Sequence, residues 1–423
     1  MFWEKEGKLI YSYDGETVCI EAWGKDALRV RATKNRSFTG RDWALEAKDA
    51  HAGEVEIFED PSAKGGAFAN MYEGTDTSYG KITNGKLHAV IDSGSVITFY
   101  HEDGRVLLKE HFRRLRDEES MPLNIMGREY SNGVGDNFRI VTRFVARKGE
   151  KIFGMGQYQQ HELDLKGCML ELAQRNSQVS VPFYLSSIGY GFLWNNPGVG
   201  QVMFANNGTE WVTESGKEID YLVIAGDTPA EIEENYMTLT GKPPMMPEYG
   251  MGFWQCKLRY WNQEQLLSVA RKYKELGIPL DVIIVDFFHW TKQGEFKFDP
   301  KYWPDVPGMC RELKEMGIQV VVSVWPTVDI YSENFEEMKE KGYLVRTEHG
   351  VPLTMLCGGN EVFFDATNPD ARTYVWEKIK KNYYDQGAKL FWLDVAEPEY
   401  SVYDFKNYRY QLGSVQEVGN IYP

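Results

Sequence analysis

The sequence predicts an antiparallel β-sandwich over residues 1–241 followed by parallel α/β units over residues 248–423. Three observations carry that reading. Up to about residue 225 the chain runs in short period-two alternations broken by Gly, Asn and Asp, the pattern of half-buried antiparallel strands. The segment Lys242-Pro243-Pro244-Met245-Met246-Pro247 supports neither a regular ladder nor a helix, and reads as a linker. Beyond it, four nearly continuous apolar runs alternate with amphipathic stretches, as strands covered on both faces alternate with helices. Four such units imply a parallel sheet, either open and doubly wound or part of a closed (β/α)8 barrel.

In the first domain, Leu28, Val30 and Ala32 alternate with Arg29 and Arg31. Val55 and Ile57 alternate with Glu54 and Glu56, and Leu87, Ala89 and Ile91 repeat the theme. Asp103-Gly104, between Val96–Tyr100 and Val106–Leu108, signals a hairpin. One helix follows, with Thr228 as N-cap, Pro229 in the first turn and Gly241 past the end. In the second domain the expected strands are Gly250–Gln255, Leu280–Phe287, Gln319–Trp325 and Lys389–Asp394. Asn262 caps the first helix, Gln265 completes a capping box, and Leu266, Leu267, Ala270, Tyr273 and Leu276 form its apolar stripe. The second helix carries Met309, Leu313 and Met316 ahead of Gly317. The third runs from Ser332 to Gly342. The last opens at Asn368-Pro369 and carries Val375, Ile379 and Tyr383 before Gly387.

Composition narrows the function classes. The formal charge of -15, from 62 acidic and 47 basic residues without a basic stripe, argues against nucleic acid or an anionic membrane as partner. No uninterrupted apolar run reaches a membrane-spanning length, and MFWEKEGKLI is unlike a signal peptide, so a cytoplasmic protein is expected. Cys19, Cys168, Cys256, Cys310 and Cys357 are widely spaced and odd in number, which fits neither a disulfide framework nor a zinc site. The aromatic content is high at 14%, and aromatic faces suit the apolar face of a pyranose as well as they suit cores.

Function in a parallel α/β barrel sits where the strands end. The second strand ends Val285-Asp286-Phe287-Phe288-His289-Trp290 and the third Val324-Trp325-Pro326. The fourth ends Phe391-Trp392-Leu393-Asp394-Val395-Ala396-Glu397-Pro398-Glu399. Carboxylates and aromatics thus converge on one rim, as glycoside hydrolysis requires. Taken singly, each residue has a plainer reading: an Asp after a strand as a helix cap, Trp325 and Trp392 as core, His289 as a polar loop residue. No nucleophile elbow, Walker A loop or dinucleotide fingerprint is present.

At these residues the chain resembles glycoside hydrolase family 31, the retaining α-glucosidases and α-xylosidases. The likeness lies in Phe153-Gly154-Met155-Gly156-Gln157, in Val181-Pro182-Phe183-Tyr184-Leu185-Ser186-Ser187 with Gly189-Tyr190-Gly191, in Asp286, and in Phe391 to Pro398. Gln157 departs from the family's usual Glu. The resemblance implies an N-terminal sandwich followed by a (β/α)8-type barrel, of which about the first half is expected here. It implies Asp394 as nucleophile, Asp286 as anchor for sugar hydroxyls, and Phe287, Trp325 and Trp392 as walls of the −1 pocket. Glu397 is expected to orient the nucleophile loop, and Asn176, with Gln174 and Arg175, to tip a sandwich loop over the pocket. The acid/base carboxyl, about 5–5.5 Å from the nucleophile in a retaining enzyme, is expected beyond Pro423. The implied substrate is an oligosaccharide or other α-glycoside, and neither metal nor organic cofactor is required. Phe287 and Trp392 crowd the space of a C6 hydroxymethyl, which favours a xylosyl unit over a glucosyl one. α-Glucosidase or transglycosylase activity is the alternative within the family; a sugar-binding protein or inactive fragment is the alternative outside it.

Overall fold

The computed structural model describes residues 1–61, 77–115, 123–356, 359–400 and 404–423. It divides into two compact units, Met1–Pro243 and Pro244–Pro423. Cys19, Cys168, Cys256 and Cys310 are free thiols, and Cys357 lies outside the described residues. Among the described residues no helix is long and apolar enough to cross a membrane.

The first unit is built of antiparallel sheets. In the largest, Phe2–Lys5, Lys8–Tyr13, Glu16–Trp23, Ala27–Thr33, Ile219–Ala225, Tyr190–Trp194, Val179–Ser186 and Ile152–Gln157 lie side by side. Two five-stranded sheets accompany it, one from Glu54–Phe58 to Val106–Lys109 and one containing Phe138–Phe144 and Gly208–Gly216. Their inner faces meet in one core that includes Leu28, Val30, Ile82, Phe99, Phe192 and Trp211. The hairpin expected at Asp103-Gly104 is present, joining Ile97–His101 to Val106–Lys109, with Gly104 at φ +86°. The helix is Pro229–Thr240, and Thr228 Oγ1 accepts the amide of Glu231. It lays Ile232 and Leu239 against Leu193, Leu222 and Ile224 on the outer face of the largest sheet. Arg29, which alternates with Leu28 and Val30, is fully buried and paired with Asp220 at 2.6 and 2.9 Å.

The second unit holds four parallel strands in spatial order Trp254–Gln255, Val282–Val285, Gln319–Val324 and Leu390–Leu393. Its helices are Gln263–Glu275, Val306–Glu315, Phe335–Glu340, Pro369–Ile379, which a π-helical turn, Lys380–Tyr384, prolongs, and the short Val415–Val418. Ile283, Val285, Val320, Val322 and Val324 pack against Leu266, Leu267, Met309 and Leu313 of these helices. Val282, Ile284 and Val321 form a separate apolar cluster on the other face, joined by Leu390. The two inner strands, Val282–Val285 and Gln319–Val324, are covered on both sides, which explains why their sequence runs are continuous rather than alternating, whereas Trp392 and Leu393 of the fourth strand are exposed.

Three expectations are corrected. The first strand begins only at Trp254, because Pro247 starts a 3-10 turn, Glu248–Met251, in its place. The third helix is shortened to Phe335–Glu340, since Ser332 turns the chain instead, its carbonyl accepting the amide of Phe335. Leu276 is 57% exposed, having rotated off the stripe as the C-cap of its helix.

Candidate active site

Strand parity selects the site. On Val282–Val285 the inward positions are Val282 and Ile284, so Asp286 continues their face past the strand end. On Gln319–Val324 the same parity runs Val321, Ser323, Trp325, and on Leu390–Leu393 it runs Leu390, Trp392, Asp394. The parallel register then sets Ser323 beside Trp392. Three neighbouring strands therefore deliver Asp286, Trp325 and Asp394 to the same end of the same face.

Side-chain bonds tie these residues together. The indole Nε1 of Trp325 donates to Asp394 Oδ2 at 3.0 Å, and the amide of Val395 donates to Asp394 Oδ1 at 3.0 Å. The Asp394 amide donates back to the carbonyl of Val324, extending the ladder by one rung. Phe287 stacks on Trp325 at 5.3 Å and 27°, and Trp290 meets the same indole edge-on at 6.0 Å. Both carboxylate-bearing loops leave the strands sharply, with Phe288 at φ +61° and Val395 at φ +61°. A bulky or β-branched residue rarely takes that conformation, and such strain collects at functional sites.

Asp286 accepts the amide of Phe287 on Oδ1 at 2.8 Å and the thiol of Cys256 on Oδ2 at 3.4 Å. Its carbonyl faces His289 Nδ1 at 2.9 Å, while His289 Nε2 meets the Tyr383 hydroxyl at 2.9 Å. Burial pushes His289 down to about 4, so the ring is neutral at pH 7. A carbonyl can only accept, so Nδ1 carries the proton and Nε2 accepts from Tyr383. The residue expected to be a polar loop group is in fact 2% exposed, a strut beneath Asp286.

The remaining expected residues are placed as follows. Trp392 is 49% exposed on the inward face of the fourth strand. Among the described residues Glu397 accepts its own amide, its Oε2 is buried without a hydrogen-bond partner, and burial raises its carboxyl above the usual range. That bond lies within the loop that carries Asp394. Asn176 belongs to the first unit, at the tip of a turn closed by the bridge between Arg175 and Gln178, with Arg175 held on Glu171. Among the described residues no group of three or more His, Cys, Asp and Glu is placed to hold a metal ion.

Sequence reasoning missed Cys256, although the signal was there. It directly follows the Trp254–Gln255 strand, and the strand-end rule that selected Asp286, Trp325 and Asp394 selects it too. The burial of His289 had no such signal, because Tyr383 lies 94 residues away.

Comparison with known proteins points the same way. Residues 17–202 match the family described as Glycosyl hydrolase 31 N-terminal galactose mutarotase-like domain, and residues 243–423 match Glycosyl hydrolases family 31 TIM-barrel domain. The chain is 45% identical over 431 residues to the uncharacterized family 31 glucosidase ORF2 of Pseudescherichia vulneris, covering 99% of this chain and 78% of the relative. It is 30% identical over 443 residues to α-xylosidase A of Aspergillus niger, covering 96% of this chain and 58% of the relative. Among solved structures, a GH31 α-xylosidase from a soil metagenome complexed with xylose is 50% identical with a TM-score of 0.92. That match covers 100% of this chain and 61% of the other. The chain thus spans less than two thirds of the length of both xylosidases.

Proposed function

Because the chain belongs to glycoside hydrolase family 31, we propose that it carries the nucleophile and sugar-anchoring residues of a retaining α-glycosidase, with a terminal α-xylosyl unit as the group transferred. The observation that carries the reading is Asp394, fixed at one oxygen by the Trp325 indole and at the other by a backbone amide, on the face it shares with Asp286. In this mechanism Asp394 attacks the anomeric carbon, the bond to the glycosidic oxygen breaks, and a protonated leaving group departs from a covalent glycosyl-enzyme. Water then hydrolyses the ester and restores the carboxylate. The acid that protonates the leaving oxygen is assigned to no residue of this chain. Two fixed donors hold the attacking carboxylate in place before the sugar arrives, which lowers the entropic part of the activation barrier.

Phe287, Trp325 and Trp392 form the apolar wall, and Asp286 takes the hydroxyls. Phe287, stacked on Trp325, is the side chain proposed to crowd a hydroxymethyl on C5. The xylosyl reading is also supported by the names of the relatives: α-xylosidase A and the metagenomic α-xylosidase complexed with xylose. The glucosidase of Pseudescherichia vulneris supports the second reading, an α-glucosyl unit. Competition between 5-fluoro-α-xylosyl fluoride and its glucosyl counterpart decides between them. Faster inactivation of Asp394 by the xylosyl reagent is expected; faster reaction with the glucosyl reagent overturns the xylosyl assignment.

A further inference from the structure

Among the described residues, Asp286 takes one hydrogen bond from each of two strands. Phe287, at the end of its own strand, supplies a backbone amide to Oδ1, and Cys256, at the end of the neighbouring strand, supplies a thiol to Oδ2. The amide follows from the backbone and any residue would provide it. The thiol is a choice of side chain. We propose that Cys256 is a positioning residue, whose S–H fixes the rotamer of Asp286 so that its free lone pairs face the hydroxyls of the bound sugar. The inference rests on the reading of the pocket given above, and deepens it.

The thiol has one proton and two acceptors within reach, Asp286 Oδ2 at 3.4 Å and the Lys257 carbonyl at 3.6 Å. The carboxylate is both nearer and charged, and a charged acceptor makes the stronger bond. Burial and the neighbouring Asp286 push the Cys256 thiol up to about 12, so it remains a donor at neutral pH instead of becoming a second anion. Geometry explains why the partner must come from Cys256. Trp254 pairs with Val282 and Gln255 with Ile283, so the first strand stops two residues short of the end of the second at Val285, and the Cys256 thiol that follows it lies 3.4 Å from Asp286 Oδ2. A bond between neighbouring strand ends lets Asp286 keep its orientation while the substrate exchanges.

If the role is positioning, removing the donor loosens ground-state and transition-state contacts alike. The reagent concentration for half-maximal labelling of Asp394 then rises, and the maximal rate stays. A bond from a weak donor to a carboxylate corresponds to a rise of about three- to tenfold. Cys256→Ala and Cys256→Val are expected to show it, the valine variant controlling for lost volume. Cys256→Ser keeps a donor and is expected to fall within about twofold of wild type. Asp286→Asn combined with Cys256→Ala is expected to bind no worse than Asp286→Asn alone, because the two residues act as one unit.

A second readout needs no labelling. The infrared S–H stretch of Cys256, identified by its disappearance in Cys256→Ala, is expected at the low frequency of a hydrogen-bonded thiol and is expected to rise in Asp286→Asn. A band that does not move in Asp286→Asn overturns the bond. A band that moves while Cys256→Ala leaves half-maximal labelling unchanged overturns the positioning role. Failure of the glycosidase reading looks different: wild type and every variant take up no label at any reagent concentration.

Discussion

Asp394 and Asp286 stand at equivalent strand ends yet are held differently, in a way that fits the roles proposed for them. Asp394 accepts from an indole N–H and a backbone amide, both just past strand ends. Asp286 is clamped by an amide and a weak thiol donor. The stiffer clamp suits a nucleophile that must stay in line with one carbon, and the softer one suits an anchor for hydroxyls. Trp325→Phe keeps the stacking partner of Phe287 and removes the indole donor. The maximal rate of labelling at Asp394 is expected to fall about tenfold, in keeping with the loss of one bond to a charged acceptor. An unchanged rate would show that the Val395 amide suffices. The site was legible in the sequence as far as single residues reach: Asp286, Phe287, Trp325, Trp392 and Asp394 were all visible as polar or aromatic interruptions at the ends of apolar runs. What joins them was not, because the Trp325–Asp394 bond spans 69 residues and depends on strand register.

At the scale of elements, buried charge decides where stability resides. Arg29 is enclosed between the largest sheet and its covering segments and donates to Asp220, Asp42 and the Arg41 carbonyl. Arg29→Met leaves Asp220 buried without its counter-charge, which costs about 3–5 kcal/mol. The midpoint of urea unfolding of the first unit is expected to fall accordingly, and Arg29→Met with Asp220→Leu to recover part of the loss. The period-two pattern around Arg29 was read correctly as a strand, but the burial of Arg29 was not legible in it, because alternation reports the pleat and not what covers the second face.

In the second unit, the ribbon Thr327–Asp329 with Asn360–Phe363 places Asp329 opposite Glu361. Burial, with Asp329 adding to it, pushes Glu361 up to about 7. The folded state therefore holds a proton that the unfolded chain releases near its ordinary value of about 4.3. Stability from this group is complete below that value and is lost as pH rises toward 7. His289 acts in the opposite sense: its contribution is present above about 6.5 and is lost as pH falls toward 4. Glu361→Gln is expected to raise the melting temperature of the second unit at pH 7.5 relative to its value at pH 5, compared with the same ratio in wild type. A variant that keeps the wild-type pH dependence would place the titration elsewhere.

At the scale of the whole molecule, each unit has its own core, and the junction segment between Thr240 and Glu248 is exposed throughout, with Met245 at 93%. Brief thermolysin treatment is expected to cut near Met245 and Met246 first and to leave a folded fragment ending near Pro243. Early cleavage within the sheets would contradict the division. The order of textures along the chain foretold an all-β part before an α/β part, since hydrophobic period is a local property that survives without tertiary knowledge. Element ends were read less well at Gly250, Ser332 and Leu276, where Pro247, a reverse turn and a cap override the pattern.

The central claim, that Asp394 is the nucleophile, is tested most directly by mapping a trapped intermediate. The chain is incubated with 5-fluoro-α-xylosyl fluoride, which carries its own leaving group, and the labelled peptide is sequenced by mass spectrometry. One sugar per chain is expected, on the peptide containing Asp394, and no label in Asp394→Ala. A label on Asp286 or Glu397, or one that persists in Asp394→Ala, would contradict it.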